Sequence, residues 1–505
     1  MKKYSKTIIA GTVNLALMGS GNALAEEGFW DGVSERVSKE FNSKEWREVP
    51  DEALIPASRI KWNRLAKAAL NLPEWVEFSL SQRTRFESVS HPWRNGQNGH
   101  IDQQVPMQSR VRLGVNQGPF WLMFEGQDSR THHVSTHQSI LDDFDGNTVT
   151  NKFDVLQLFG SATFRNIYDT GLRVDAHLGR MTLMVGSARL VGRNGYRNTT
   201  GSFDGGHLAI GNDKDWRVRT FLTSPVQIET AQMDNSSRSR LFWGTVFEST
   251  QLSWLSGEAY YFGLNDKEDP ARTSTFSTFG ARAYQSPAKG SKFEKQDIGK
   301  IDYEFESAVQ TGDKSSKGVN KDFFAYMSHA EIGYTVNAPW FPRFDGEYDY
   351  ASGTNDPDSG SNNTFDRLNG LRRADMMQTG IFGAFFRSNI ESAGSRLTLQ
   401  PRDDLKLMAK HHVWYLAEAK DAFSGSNLNS DFKPLQDKTG GSGRFLGHDL
   451  EMVAQWKLKS NVIIEVGYEH WFKGDYFKRL PASAGLPAGG EKDTDYFFVN
   501  TEFRI

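Results

Sequence analysis

The chain has 505 residues, with 59 Lys and Arg against 62 Asp and Glu, no cysteine, 47 glycines, 12% aromatic residues and 38% apolar residues in all. That balance leaves no basic stripe for nucleic acid, no disulfide framework and no thiolate metal site. No apolar run reaches the roughly 18 residues of a membrane-spanning helix, so any crossing of a bilayer falls to strands, and the low apolar content suits a wet, polar lumen.

At the N-terminus, Lys2, Lys3 and Lys6 precede an apolar stretch from Thr7 to Met18, and Ala23-Leu24-Ala25 forms an A-x-A site before Glu26. This pattern predicts a secretory signal peptide over 1–25, cleaved after Ala25. Loss of its three lysines takes the net charge from -3 to -6. Residues 26–74 then change character. Phe29, Val33, Val37 and Phe41 recur at helical spacing, as do Ile60, Leu65, Ala68, Ala69 and Leu72, with Pro50 and Pro56 between the two sets and Pro73 closing the second. Two short amphipathic helices are expected, as a periplasmic extension on a barrel rim; a plug inside the lumen is the alternative.

After Trp75 the period becomes two. Phe78, Leu80, Thr84 and Phe86 alternate with Arg83, Arg85 and Glu87; Val111, Leu113 and Val115 alternate with Arg110 and Arg112. The same pattern sets Leu172, Val174, Ala176 and Leu178 against Arg173, Asp175 and His177, and Val218 and Leu222 against Arg217 and Arg219. About eighteen such segments are expected, near 77–87, 104–116, 119–130, 153–166, 171–180, 204–211, 215–225, 240–249, 253–264, 274–285, 293–311, 322–337, 342–352, 389–401, 404–418, 446–459, 461–473 and 494–505. Tight turns such as Asn116-Gln117-Gly118 and Lys459-Ser460-Asn461 follow even-numbered segments. Long polar loops at 88–103, 131–152, 181–203, 226–239, 353–388, 419–445 and 474–493 follow odd-numbered ones; only the connection at 286–292 is long for its place. This asymmetry predicts an all-β, membrane-spanning antiparallel β-barrel over 75–505, in the outer membrane of a Gram-negative bacterium. The last segment, with Phe497, Val499 and Phe503 on one face and Asn500, Glu502 and Arg504 on the other, is expected to close on the first, near Phe78 to Glu87. Glu502 and Arg504 would then pair at the periplasmic rim.

A charge facing lipid at mid-bilayer costs about 2–4 kcal/mol for Arg or Lys, so the charged faces are expected in the lumen. Early segments bring Arg83, Arg85, Arg110, Arg112, Arg173, Arg217 and Arg219; later ones bring Asp302, Glu304, Glu306, Asp345, Glu347 and Asp349. Two readings stand: the groups pair across the lumen and serve structure, or the arginine forks offer successive bidentate contacts to a passing polyanion.

Several runs carry a resemblance. Leu178-Gly179-Arg180, Arg189-Leu190-Val191-Gly192, Tyr196-Arg197-Asn198 and Ser202-Phe203-Asp204-Gly205 are similar to the alginate export family of outer-membrane porins. So are Phe124 to Arg130, Glu347 to Gly353, Thr364 to Leu368 and Gly443 to His448. The resemblance covers about Leu72 to Ile505 and implies an eighteen-stranded barrel whose arginine-rich lumen passes an acidic polysaccharide. It points to Arg180, Arg189, Arg193 and Arg197 near an outer constriction, with Arg130 and Asp204 as partners. Met181 and Tyr196 stand where the better-known exporters have Gln and Trp.

Other signals carry less. His132, His133 and His137 lie in a loop without a matching carboxylate spacing, and Asp142 to Asn147 lacks the Glu that closes an EF-hand. Asn198-Thr199-Thr200 matches a glycosylation acceptor by chance. No catalytic motif occurs; His411 and His412 are the sole candidates, and the girdle aromatics Trp414 and Tyr415 account for them. The expectation is a passive channel without cofactor or metal for an acidic polysaccharide, not an enzyme. An uptake porin for acidic oligosaccharides or small anions is the alternative, and a barrel enzyme or adhesin the remote one. Outer-membrane lipid and the barrel-assembly machinery are the expected partners, with no nucleic acid, and the chain is expected to be monomeric.

Overall fold

The computed structural model describes residues 64–93, 101–133, 149–212, 215–230, 232–252, 254–285, 298–371, 376, 384–423 and 434–505. The leader, the first expected helix and the 142–147 loop lie outside the described residues. A short helix, α1 (Arg64–Leu70), is seen where the second expected helix was placed. It stops ahead of Pro73, and Lys67 ties it to the barrel through Glu77 at 3.0 Å.

Among the described residues twenty strands follow: β1 (Val76–Val89), β2 (Asp102–Gln117), β3 (Phe120–His133), β4 (Asn151–Ile167), β5 (Leu172–Met181), β6 (Phe203–Gly211), β7 (Trp216–Gln227), β8 (Asn235–Ser236), β9 (Arg240–Leu252) and β10 (Leu255–Asp266). The second half holds β11 (Ser274–Gln285), β12 (Gly299–Ser316), β13 (Val319–Val336), β14 (Arg343–Ala351), β15 (Ser361–Asn362), β16 (Ile390–Arg402), β17 (Leu405–Tyr415), β18 (Phe445–Lys459), β19 (Val462–Lys473) and β20 (Thr494–Arg504). The two-residue β8 and β15 are loop pieces. The other eighteen correspond one for one to the expected segments and pair antiparallel, each with its neighbour along the chain. The seam closes as expected: β20 lies against β1 with Ser81 opposite Arg504, Thr84 opposite Thr501 and Val89 opposite Tyr496. Closure leaves no unpaired sheet edge, which a lipid environment requires.

The outer face is apolar and exposed. Leu178, Ile301, Leu222, Phe344 and Ile332 are among many large side chains that are more than half exposed, an arrangement stable in hydrocarbon and not in water. Aromatics cluster at both ends of this band: Phe120, Trp254, Trp340, Phe341 and Trp456 by the short turns, and Tyr348, Tyr415, Phe472 and Phe497 towards the long loops. These are the two girdles of a membrane barrel.

The loop asymmetry is real but not uniform. The β10–β11 connection spans only 267–273, and β12–β13 turns through Lys317 and Gly318 alone, at φ 53° and 78°. Both positive φ values match the twist of a two-residue hairpin turn, so this hairpin runs on as an unbroken ladder of paired residues from Gly299 and Val336 to Ser316 and Val319.

At the long-loop end the barrel is not hollow. Tyr196, Leu183, Leu190 and Val191 from the 182–202 loop, Phe365 and Phe385 from 352–389, and Tyr476 and Phe477 from the short helix α2 (Asp475–Arg479) are buried with Trp93, Trp414, Trp471 and Phe498 in one apolar cluster. Inward aromatics on the upper strands thus pack the loops and enclose Lys473 between Trp93, Trp471 and Phe477.

Candidate functional site: the constricted lumen

Two inward loops build the constriction. The 182–202 segment leaves β5 and is stitched to the 352–389 segment by a bridge between Val191 and Asn369, with Gly192 N donating to Asn369 O at 3.0 Å and Asn369 N to Leu190 O at 3.0 Å. Gly370 is required at this junction, because a Cβ there would lie 1.7 Å from the Arg189 carbonyl oxygen. The second loop is held to the wall by Gln310, which both donates to and accepts from the Asp366 backbone at 2.8 Å, and by Lys314 on the Asp366 carboxylate at 2.7 Å.

Arginines on the wall and the first loop hold each other. Arg83 donates to the carbonyls of Gly195 and Arg197, and Arg85 to that of Tyr196 at 2.8 Å while pairing with Glu87 and lying 4.3 Å over the Tyr196 ring. Arg110 reaches Gln127 at 3.0 Å and Thr200 at 2.7 Å; Arg112 pairs with Glu125 at 3.0 Å. From the loop, Arg193 grips Glu125 with two bonds at 2.7 and 2.9 Å. Arg189 crosses to the far wall, bonding Glu306 at 2.7 Å and also Glu304. Arg219 donates to Met184 O at 3.0 Å and shares Glu248 with Arg217, while Arg173 pairs with Asp175 at 2.7 Å, all on the inward face.

Three residues sit elsewhere than expected. Arg180 and Asp204 do meet, in a two-bond pair at 2.8 and 3.0 Å, but they share the strand face of the exposed Leu158, Leu178 and Leu208, under the 228–239 loop. Continuing the alternation one step past Leu178 accounts for that side. Arg130 is exposed and paired with Asp128 at 2.8 Å on the outer face, since Ser129 takes the inward position.

The later strands carry carboxylates that are held by cations. Asp302, Glu331 and Asp345 surround Arg343, with Arg396 on Glu331 at 2.8 Å and Asp345 at 2.9 Å. Glu347 takes Lys410 at 2.7 Å and His412; Asp349 takes His329 at 3.0 Å and Arg387 at 3.2 Å. His412 thus faces inward, and His411 faces outward beside His448.

Sequence reasoning passed over Arg367. It follows the buried Phe365, stacks 4.3 Å over the Phe386 ring and is half-buried. Enclosure, and then the like charge of Arg197, push its guanidinium down to about 10. The only signal in the sequence was its place in the run Thr364 to Leu368. On the β1–β4 side, Arg112 and Arg193 thus share Glu125, and Arg110 is bonded to Gln127 and Thr200.

A closed eighteen-stranded barrel with apolar outside, charged inside and inward loops is a porin-type channel of the outer membrane. The profile of the alginate export family matches residues 74–489, and the chain belongs to that family. No curated protein matches. Among solved structures the fold is similar to Pseudomonas aeruginosa OccK5 (OpdH), at 11% identity and TM-score 0.52, covering 85% of this chain and 98% of that one. It is likewise similar to Acinetobacter baumannii OccAB1, at 11% identity and TM-score 0.55 over 86% of this chain and 97% of that one. These likenesses concern the fold alone.

Proposed function

We propose that this channel passes an acidic polysaccharide of the alginate type by passive diffusion, guided by arginines at the constriction. The observation that carries the reading is the pair Arg197 and Arg367, like charges close enough to interact where the two inward loops meet, with Asp366 offsetting part of their repulsion. Like charges repel, and an anion bound between them relieves the repulsion. A carboxylate on each sugar would exchange from one guanidinium to the next, while the carboxylates of the later strands keep each contact weak enough to release. The 26–74 segment acts as a periplasmic extension, the leader directs export, and the barrel-assembly machinery inserts the chain as a monomer.

Planar-bilayer recording tests this. Oligouronates added to one side should interrupt the ionic current in a concentration-dependent way, and neutral oligosaccharides of equal length should not. Equal response to both would overturn the reading. The stitched loops also favour a second reading, uptake of short acidic oligosaccharides or small anions, because they narrow the path. Block that is complete for short chains and absent for long ones would select it.

A further inference from the structure

The inward face of β17 and β18 holds a cluster in which one buried histidine nitrogen has no hydrogen-bond partner. His412 is fully buried and stands opposite Asp449 in register, with Lys410 opposite Glu451. Its Nε2 meets Glu347, which also accepts Lys410 Nζ at 2.7 Å. Glu347 is therefore the acceptor, and the imidazole proton sits on Nε2. That leaves Nδ1 as a lone pair; it has no hydrogen-bond partner and faces Asp449 Oδ1 at 3.9 Å.

Asp449 is an acceptor too. Its Oδ1 takes the backbone N–H of His412 at 3.1 Å and its Oδ2 the indole N–H of Trp414 at 2.6 Å. Two acceptors thus face each other across a gap too long for a hydrogen bond. One carboxylate oxygen of Glu451 completes the group, so that a donor atom from each of the three buried residues lies within 4.8 Å of the others. A zinc-sized ion with ligands at about 2.0–2.2 Å sets tetrahedral donors roughly 3.4 Å apart, so the observed spacing needs only small closure. A second cluster, Glu331, Asp345 and Glu347, is as tight but is already bridged by Arg343 and Arg396.

We propose that His412, Asp449 and Glu451 form a divalent transition-metal site, with Glu347 orienting the imidazole from behind. A carboxylate on the far nitrogen of a ligating histidine is the usual way its tautomer is fixed. One imidazole with two carboxylates suits zinc and its neighbours, whereas calcium calls for six to eight oxygens. The site lies where Phe385 of the inner loop stacks on Trp414 at 4.0 Å, so a bound ion clamps β17 to β18 beneath that loop.

Cobalt(II) is the probe. Full-length folded chain in detergent, stripped with chelator and then incubated with Co2+, should retain about one ion per chain with the visible absorption of a four-coordinate site, and zinc should displace it. His412→Ala and Glu451→Gln should each cut retention below about a tenth, while His411→Ala on the outer face keeps it. Heat-modifiable gel mobility reports folding of each variant. If a variant does not fold, X-ray absorption of the wild-type complex decides, with an imidazole nitrogen in the cobalt shell expected. Folded wild type that retains no cobalt, retention indifferent to His412→Ala, retention lost with His411→Ala, or a shell without imidazole would each overturn the proposal. None of these readouts depends on what the channel transports.

Discussion

Arg193 and Glu125 meet inside the barrel with two nitrogens of the guanidinium on the carboxylate, at 2.7 and 2.9 Å, and neither side chain is exposed. One comes from an inward loop and the other from β3, so this pair fixes the constriction to the wall. Arg193→Ala would leave Glu125 with Arg112 and with Gln157, which donates at 2.6 Å. Breaking a buried pair costs about 3–5 kcal/mol, here concentrated in the loop rather than in the strand ladder. The barrel should keep its heat-modifiable mobility while single-channel current becomes larger and noisier. Unchanged current and noise would show that the loop is held by other means.

Two glycines of the 352–389 loop separate space from charge. Gly370→Ala places a methyl 1.7 Å from the Arg189 carbonyl oxygen, so the junction with Val191 has to open. Gly360→Ala meets nothing within 4 Å. Conductance should change with the first substitution and stay at the wild-type value with the second; equal effects would dissociate the junction from the pore.

The loop over β4–β6 should respond to pH. Burial, helped by the charge of Asp154, pushes Asp234 from 3.8 up to about 6. The charged form is thus the disfavoured one in the folded state: the contribution is fully present below the ordinary value of 3.8 and is lost as pH rises through about 6. Half exposure limits the effect to about 1 kcal/mol. Amide exchange in 228–239 should quicken, beyond its intrinsic pH dependence, between about pH 4 and 6, and Asp234→Asn should abolish that extra change. An equal profile in the variant would assign it to another group.

The seam gives a test of folding. Ile505 and Leu80 exchange two backbone hydrogen bonds at 2.7 and 2.9 Å, below the pair formed by Arg504 and Glu502 at 2.6 Å. Removal of Phe503 to Ile505 should prevent assembly, read as loss of the folded, heat-modifiable band. A normal yield of that band would show that closure is complete without these residues.

The strands were legible because lipid on one side and charge on the other impose a period of two, and each of the eighteen was found. Leu178 outward and His177 inward already placed Arg180 outward, although the family resemblance had drawn it to the constriction. The inward loops were not legible. The 182–202 segment has no period, and nothing in it announces that Arg83 and Arg85 would donate to its carbonyls. Glu125 and Arg367 stood inside the resembling runs, but Glu125 is gripped by Arg193 from a loop 68 residues on, and Arg367 feels Arg197 of the other loop.

The most direct test of the central claim is the zero-current potential across a bilayer under a KCl gradient. Wild type should show anion preference, and Arg367→Glu, which puts a carboxylate beside Arg197, should move the potential towards cation preference. A cation-selective wild type, or a potential that does not move in Arg367→Glu, would contradict an arginine-guided path for acidic sugars.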